Sequence, residues 1–137
     1  MNNSIVNVPN PVNEPIKEYK PGSPEKESVL ATYKKLKDST TDVKMWIGGK
    51  FIESSQTSNM SPPHDHKHIL GKYYLAEKKH VELAIKSALD AKDEWANMKW
   101  EERAAIFLKA AELVAGPYRD RINAATMLAQ SKTIFQA

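Results

Sequence analysis

The sequence predicts an α+β chain with an extended N-terminal arm, short β-hairpins and about four amphipathic helices. Four prolines between residues 9 and 21 disfavour helix in the first part of the chain. A Gly48-Gly49 pair between two short apolar runs predicts a tight hairpin. Later stretches space their apolar residues three or four positions apart, which is typical of helices that bury one face.

The arm is predicted over residues 1–22, and the first helix begins directly after it. Ser23 is a good N-cap, Pro24 suits the first helical position, and Glu25 complements the positive end of the helix dipole. The helix then carries a narrow apolar stripe, which consists of Val29, Leu30, Tyr33 and Leu36. The polar residues 38–41 are expected to end it.

Strand pairs are predicted for the middle of the chain. Residues 45–52 form a hairpin pattern because two adjacent glycines supply the positive φ angles of a two-residue turn. Residues 57–60 and 69–75 form a second pair, joined by a loop over 61–68. An isolated hairpin is marginally stable in water, so we expect these strands to lie against a larger body.

Three further helices are predicted, over residues 77–98, 101–115 and 118–130. Their apolar positions keep helical spacing, at Val81, Ala84, Ile85, Ala88, Leu89, Trp95 and Met98, then Ala104, Phe107, Leu108, Ala111 and Val114, then Ile122, Ala125, Leu128 and Ala129. Gly116-Pro117 ends the middle helix. The short connections favour compact packing of successive helices.

Five side chains carry specific expectations. Trp95 and Trp100 flank a helix–helix joint, where we expect them to pack, and His80 is expected at the surface. Ile134 and Phe135 follow the last helix without Gly, Pro or a polar tail. Each side chain would lose about 1.5–3 kcal/mol of hydrophobic stabilisation if it stayed in water. We therefore expect the chain to dock on a partner or to belong to a longer polypeptide, and we favour the longer polypeptide.

Composition excludes several kinds of chemistry. The 137 residues carry 20 Lys and Arg against 17 Asp and Glu, and the interleaved charges speak against a nucleic-acid partner. Without cysteine there is no disulfide, thiolate zinc site or cysteine nucleophile in this sequence. The five glycines form neither a dinucleotide fingerprint nor a P-loop. No apolar run approaches a membrane span of ~18 residues, and no export or organelle signal is visible.

The only metal-like cluster is the histidine loop, with His64, Asp65, His66 and His68. Alternate residues of an extended loop can bring imidazole and carboxylate groups onto zinc or copper. Pro62-Pro63 and the nearby lysines suit a solvated turn, which is the interpretation we favour. Carboxylates and serines form no recognisable acid–base pair or triad. The sequence therefore predicts no catalytic, cofactor-binding or metal-ligating residue.

The helical half nevertheless resembles the start of an aldehyde dehydrogenase. The shared features are Ala84-Ile85, Ala88, Trp95, Arg103, the run 107–113 and Lys132. Other features resemble one branch, the 1-pyrroline-5-carboxylate dehydrogenases: Asn13-Glu14-Pro15, residues 22–25, the histidine-rich turn after Ser61-Pro62, residues 116–119, residues 130–133 and Gln136-Ala137. The resemblance covers roughly residues 12–137.

This resemblance implies a much longer enzyme with an NAD-binding α/β domain, a catalytic domain and an oligomerisation flap. Such enzymes oxidise L-glutamate γ-semialdehyde, which equilibrates with 1-pyrroline-5-carboxylate, to L-glutamate in proline degradation. The family's catalytic cysteine, general base, oxyanion amide and nicotinamide loop lie beyond residue 137, so none is assigned here. Residues 23–137 would form the N-terminal part of the NAD-binding domain.

The resemblance also implies a homo-oligomer in the mitochondrial matrix, with the cytoplasm as the alternative because no presequence is visible. Members of the branch that this chain resembles usually carry glycine where this chain has Ser131. If that glycine serves a left-handed or closely approached backbone, serine should cost about 1 kcal/mol or shift the local turn. The alternative function is a truncated, non-enzymatic module that docks on full-length subunits.

Overall fold

The computed structural model describes Ile5 and residues 7–137, and within that range it has the α+β architecture predicted from the sequence. The elements run in the order α1 Pro24–Lys37, β1 Thr41–Val43, β2 Met45–Ile47, β3 Lys50–Ile52, β4 Thr57–Met60, β5 Gly71–Tyr74, α2 Lys78–Asn97, α3 Trp100–Ala115 and α4 Arg119–Gln130. The arm runs over 7–20 without helix or strand, and its residues 1–4 and 6 lie outside the described range.

Helix α1 begins as its sequence predicts. The Ser23 hydroxyl accepts a hydrogen bond from the Lys26 N–H at 3.4 Å, and Pro24 occupies the first turn. Acidic residues lie in the first turn and lysines in the last, which complements the helix dipole at both ends. Of the predicted stripe only Val29 is fully buried, whereas Leu30 is exposed, so the buried face is narrower than expected.

Both predicted strand pairs are present. β2 and β3 pair antiparallel around Gly48 and Gly49, whose φ angles are +58° and +75°. β4 and β5 pair antiparallel with Thr57 opposite Tyr74. The hairpin contacts α2, so it does lie against another element as expected.

The sheet that contains β4 and β5 has a third strand, β1, which was not predicted. From the sequence, residues 38–41 were interpreted only as the end of α1. β1 pairs parallel with β5, with Thr41 opposite Gly71, and gives the sheet order β1-β5-β4. Its residues are all exposed and lack an apolar alternation. Gly71 has a φ of +149°, and a Cβ at this position would overlap the Thr41 carbonyl oxygen. Glycine therefore permits the close approach of β1.

The best-packed helices are α1 and α4, the first and the last along the chain. Among the described residues, the buried hydrophobic side chains are Tyr19, Val29, Ala124 and Leu128. The expectation that successive helices pack compactly is wrong for α2 and α3, since α3 has no buried residue. A short connection fixes helix ends but does not turn apolar faces toward each other. None of the described helices is long and apolar enough to cross a membrane.

Candidate functional site

The arm is fastened along α4. Tyr19 is only 5% exposed, and its hydroxyl accepts a hydrogen bond from Asn123 Nδ2 at 3.2 Å. Arg119 donates to the Pro15 carbonyl oxygen at 3.2 Å. The Tyr19 ring meets Phe135 edge-on, with 6.3 Å between the ring centroids. The arm thus contributes the largest side chain of the buried core, and it joins the helix to the segment that follows it.

The histidine loop connects the ends of two helices. His64 Nδ1 lies 2.7 Å from Ser131 Oγ, just after α4, and His68 Nε2 lies 2.7 Å from the Lys37 carbonyl oxygen at the end of α1. His68 therefore donates to one of the carbonyls that a helix end leaves free. In the part of the chain that the structure describes, no three His, Asp or Glu side chains are placed to hold a metal ion.

Ser131 adopts the left-handed conformation, with φ 54° and ψ 33°, at the C-cap of α4. This is one of the two backbone geometries that the resemblance implies at this position, and glycine adopts it most easily. The hydroxyl contact with His64 is available to serine and not to glycine. Compared with glycine, serine therefore has a more strained backbone here, but it forms a hydrogen bond that glycine cannot form.

The expectation that His80 lies at the surface is wrong, because His80 is buried with 5% exposure. Its Nδ1 accepts a hydrogen bond from the Glu77 N–H at 2.9 Å, so the side chain caps the start of α2. Glu77 Oε1 is buried without a partner, and the hydrogen bond from Lys79 holds the pKa of the Glu77 carboxyl below its usual value. The signal in the sequence was the position of His80, three residues after the N-cap.

Charged side chains join the two sheets where β1 leads into β2. Lys44 lies between these strands and pairs with Glu53 at 2.5 Å. The hydrogen bond and the charge of Lys44 lower the pKa of Glu53, and the same contacts raise the pKa of Lys44. Asp42 accepts from the Tyr74 hydroxyl at 3.3 Å and lies 3.8 Å from Lys72 Nζ. The cluster is exposed, so it positions the sheets without forming a closed site.

The helix N-termini of the described chain do not suit a dinucleotide. A pyrophosphate binds best where free backbone N–H groups and the helix dipole meet no competing negative charge. Each described helix instead has carboxylates at its start, namely Glu25 and Glu27, Glu77, Glu101 and Glu102, and Asp120. We therefore derive no catalytic step through NAD from these residues.

The most distinctive surface is apolar and unpaired. We call it the α2–α3 apolar surface; it consists of Val81, Ile85, Leu89 and Trp95 on α2 and of Trp100, Ile106, Phe107, Leu108 and Val114 on α3. At the helix joint Trp95 meets Phe107 edge-on, with 6.5 Å between the ring centroids, but both side chains stay exposed, as does Trp100, so the predicted packing is only partly formed. Exposed apolar surface of this extent is characteristic of an interaction site.

The sequence profile of the aldehyde dehydrogenase family matches residues 51–137, which is more than half of the chain. The chain belongs to this family. The predicted resemblance to an aldehyde dehydrogenase start is thereby confirmed.

Curated members of the family are similar to nearly the whole chain. A probable delta-1-pyrroline-5-carboxylate dehydrogenase of Schizosaccharomyces pombe is 40% identical over 126 residues, covering 91% of this chain and 23% of the relative. The delta-1-pyrroline-5-carboxylate dehydrogenase of Agaricus bisporus is also 40% identical. Its aligned region covers 95% of this chain and 24% of the relative. The chain thus spans about a quarter of the length of these relatives.

Solved structures show the same relationship. The delta-pyrroline-5-carboxylate dehydrogenase of Mycobacterium tuberculosis bound with NAD superimposes on 98% of this chain with a TM-score of 0.94 and 39% identity, over 25% of its own length. A Thermus thermophilus 1-pyrroline-5-carboxylate dehydrogenase, at 22% identity and a TM-score of 0.81, supports the fold alone. The expected fold class is therefore confirmed.

Proposed function

We propose that this chain is the N-terminal segment of an NAD-dependent dehydrogenase that oxidises L-glutamate γ-semialdehyde, derived from 1-pyrroline-5-carboxylate, to L-glutamate. The observation that carries the proposal is the superposition of almost the whole chain on the Mycobacterium tuberculosis dehydrogenase bound with NAD. Relatives at 40% identity carry the name of the same enzyme. NAD would supply the hydride acceptor for this oxidation.

The role of this chain within the enzyme is structural. We assign residues 1–22 to an arm and residues 23–137 to the incomplete N-terminal part of the NAD-binding domain. The contacts of Tyr19 with α4 support the arm's role as a fastening. A chain without cysteine cannot supply a thiolate nucleophile, so the aldehyde would be attacked by a group elsewhere in the enzyme.

We further propose that the complete enzyme is a homo-oligomer in the mitochondrial matrix. The location is supported by relatives from Dictyostelium discoideum and Bos taurus whose names include the word mitochondrial. The Schizosaccharomyces pombe relative and the bacterial structures lack that word in their names, which keeps the cytoplasm as the alternative. A fusion of the complete protein to a fluorescent label, viewed against a matrix marker, decides between the two compartments.

A chimeric enzyme tests the proposed activity. Residues 7–137 replace the aligned segment of the Mycobacterium tuberculosis dehydrogenase, and NADH formation is followed with 1-pyrroline-5-carboxylate as substrate. We expect turnover by the chimera and none by the 137-residue chain alone. NAD reduction by the chain alone, or a folded chimera that does not oxidise this substrate, would contradict the proposal.

The second candidate is a non-enzymatic module that docks on full-length subunits. Phe135, which is 72% exposed although it contacts Tyr19, favours it. Co-purification of the chain with an intact dehydrogenase, abolished by Ile134→Asp and Phe135→Asp, would support this alternative. If the doubly substituted chain still co-purified with the dehydrogenase, docking through Ile134 and Phe135 would be ruled out.

A further inference from the structure

We propose that the α2–α3 apolar surface is the interface for the remaining three quarters of a dehydrogenase chain, which covers α3 from two sides. This inference rests on the proposed function and adds to it the surface that joins the segment to the enzyme. The occupant is a protein body about three times the size of this chain, since the chain corresponds to 25% of the solved dehydrogenase.

Helix α3 is apolar around more than half of its circumference. At 100° per residue, its charged side chains Glu101, Glu102, Lys109 and Glu112 fall in one stripe, and every other position except Arg103 is apolar. A helix that faces one neighbour needs an apolar stripe of only about 100°. None of its residues is buried in the described structure. One flat partner would therefore leave part of α3 uncovered, whereas a surrounding body would not.

Helix α2 shows which of its sides faces water. Lys78 pairs with Glu82 at 3.6 Å and Lys86 with Asp90 at 2.5 Å, which places a row of charges along one stripe. Val81, Ala88 and Trp95 lie on the part of α2 opposite this row, and Ile85 lies beside them. The charged stripe thus marks the solvent side, and the exposed apolar stripe marks the side that the partner covers.

The amount of exposed surface favours a large occupant over a second copy of the chain. The accessible surface is 10732 Å², against about 7,200 Å² for a compact protein of 15.4 kDa. Part of the excess belongs to the extended arm. The whole excess of about 3,500 Å² compares with the roughly 800 Å² that each partner buries in an interface of standard size. A surrounding body accounts for that excess better than one two-fold contact does.

The test compares the same substitutions in two settings. Ile85→Asp on α2 and Ile106→Asp on α3 introduce a charge at positions that are 56% and 51% exposed in this chain. Lys109→Asp on the charged stripe is the matched control, since its side chain is 68% exposed. Each variant is made in the 137-residue chain and in the dehydrogenase chimera, and the melting midpoint is measured in both.

In the chimera we expect Ile85→Asp and Ile106→Asp to lower the melting midpoint by more than about 5 °C or to abolish soluble expression, because a charge is buried unpaired. Ile106→Ala, which keeps the site apolar, should then fold with a smaller drop. In the 137-residue chain the Asp variants should shift the midpoint by less than about 2 °C, because the sites stay in water. Lys109→Asp should shift the midpoint by less than about 2 °C in both settings, because it breaks only the exposed ion pair with Glu112.

Two outcomes would overturn the proposal. One is a chimera whose melting is indifferent to both Asp substitutions, since covered positions cannot tolerate a charge. The other is a 137-residue chain that dimerises on a sizing column and becomes monomeric with Ile106→Asp, since a second copy would then be the occupant. A stable chimera that fails to oxidise 1-pyrroline-5-carboxylate would refute the proposed function and leave this interface standing.

Discussion

Ser131 combines a backbone conformation that favours glycine with a contact that needs a hydroxyl. The left-handed φ of 54° costs a non-glycine residue about 1 kcal/mol or more. The hydrogen bond with His64 at 2.7 Å returns about 0.5–1 kcal/mol at an exposed site. These opposing contributions nearly cancel, which explains in physical terms how serine is tolerated here.

Two substitutions at Ser131 separate these contributions. Ser131→Ala keeps the strained backbone and loses the hydrogen bond, so it should lower the free energy of unfolding by about 0.5–1 kcal/mol. Ser131→Gly loses the hydrogen bond but relieves the backbone, so it should lie within about 0.5 kcal/mol of the parent. Urea unfolding monitored by circular dichroism measures both. Equal losses in the two variants would show that the backbone carries no strain.

His80 supplies a second residue-scale prediction. His80→Ala removes the acceptor for the Glu77 N–H and leaves a small void, which should destabilise the chain by about 1–2 kcal/mol. His80→Gln is the matched control, because glutamine at the same position can accept the bond from the N-cap N–H. Thermal melting should rank the parent and Gln variants together above Ala. An Ala variant as stable as the Gln variant would exclude a capping role.

These residues mark how far sequence reasoning reaches at this scale. For Ser131 the sequence left two possibilities, a left-handed or a closely approached backbone, and the structure shows the left-handed one. The burial of His80 and of Tyr19 was not expected, since each depends on contacts with residues that the sequence pattern does not pair. Tyr19 is buried by Asn123 and Phe135, more than 100 positions away along the chain.

At the scale of elements, the hairpin is positioned on α2 by a close contact at its turn. A Cβ on Gly48 would lie 2.9 Å from Ser87 Oγ, whereas one on Gly49 would meet nothing within 4 Å. Gly49→Ala should therefore cost only the strain of a positive φ, about 1 kcal/mol. Gly48→Ala should cost about 1 kcal/mol more, because the new methyl group displaces the Ser87 hydroxyl.

The double variant Gly48→Ala with Ser87→Ala provides the control for this contact. Removing the hydroxyl should eliminate the extra cost of Gly48→Ala, so that the double variant matches Gly49→Ala once the effect of Ser87→Ala is subtracted. Urea unfolding gives the free energies of the parent, the three single variants and the double variant. Strict additivity of the two substitutions would mean that the hairpin turn and α2 do not touch.

The pairing of Glu53 with Lys44 predicts a pH dependence for the sheets. The pKa of Glu53 is lowered in the folded chain, so its contribution is present above the unfolded pKa and is lost as pH falls through the folded value. The pKa of Lys44 is raised, so its contribution is lost only as pH rises through that value. Glu53→Gln should reduce stability near neutral pH and become indistinguishable from the parent once the pH has fallen below the folded pKa of Glu53.

Melting midpoints of the parent and the Glu53→Gln variant across pH check this prediction. The difference at neutral pH should be small and should shrink further in high salt, because both side chains are exposed. The difference in melting midpoint between Lys44→Gln and the parent should disappear over the same range of acid pH. A midpoint difference that persists below the titration range of the carboxylate would point to packing instead of charge.

The local elements were predictable and the long-range pairing was not. The N-cap of α1, the glycine turn of the hairpin and the stop at Gly116 are local signals, and each appears where the sequence placed it. β1 has three exposed residues and a partner 30 positions later, so no local pattern reports it. The same limit explains why α1 was not paired with α4 from the sequence.

At the scale of the molecule, packing is unevenly distributed. The buried side chains Val29, Ala124 and Leu128 lie on α1 and α4, and Tyr19 joins them from the arm. α3 contributes none, and α2 contributes only His80. Stability follows buried contacts, so the chain should consist of one protected unit around α1 and α4 and a less stable pair of helices.

Hydrogen exchange measured by mass spectrometry tests this uneven stability. In the 137-residue chain, peptides from α1 and α4 should exchange at least about tenfold more slowly than peptides from α2 and α3. Within the dehydrogenase chimera, α2 and α3 should become protected to a similar degree, because the added body buries their apolar faces. If α3 were as protected as α4 in the chain alone, its exposed apolar side chains would have to be covered already, and the need for a surrounding dehydrogenase body would disappear.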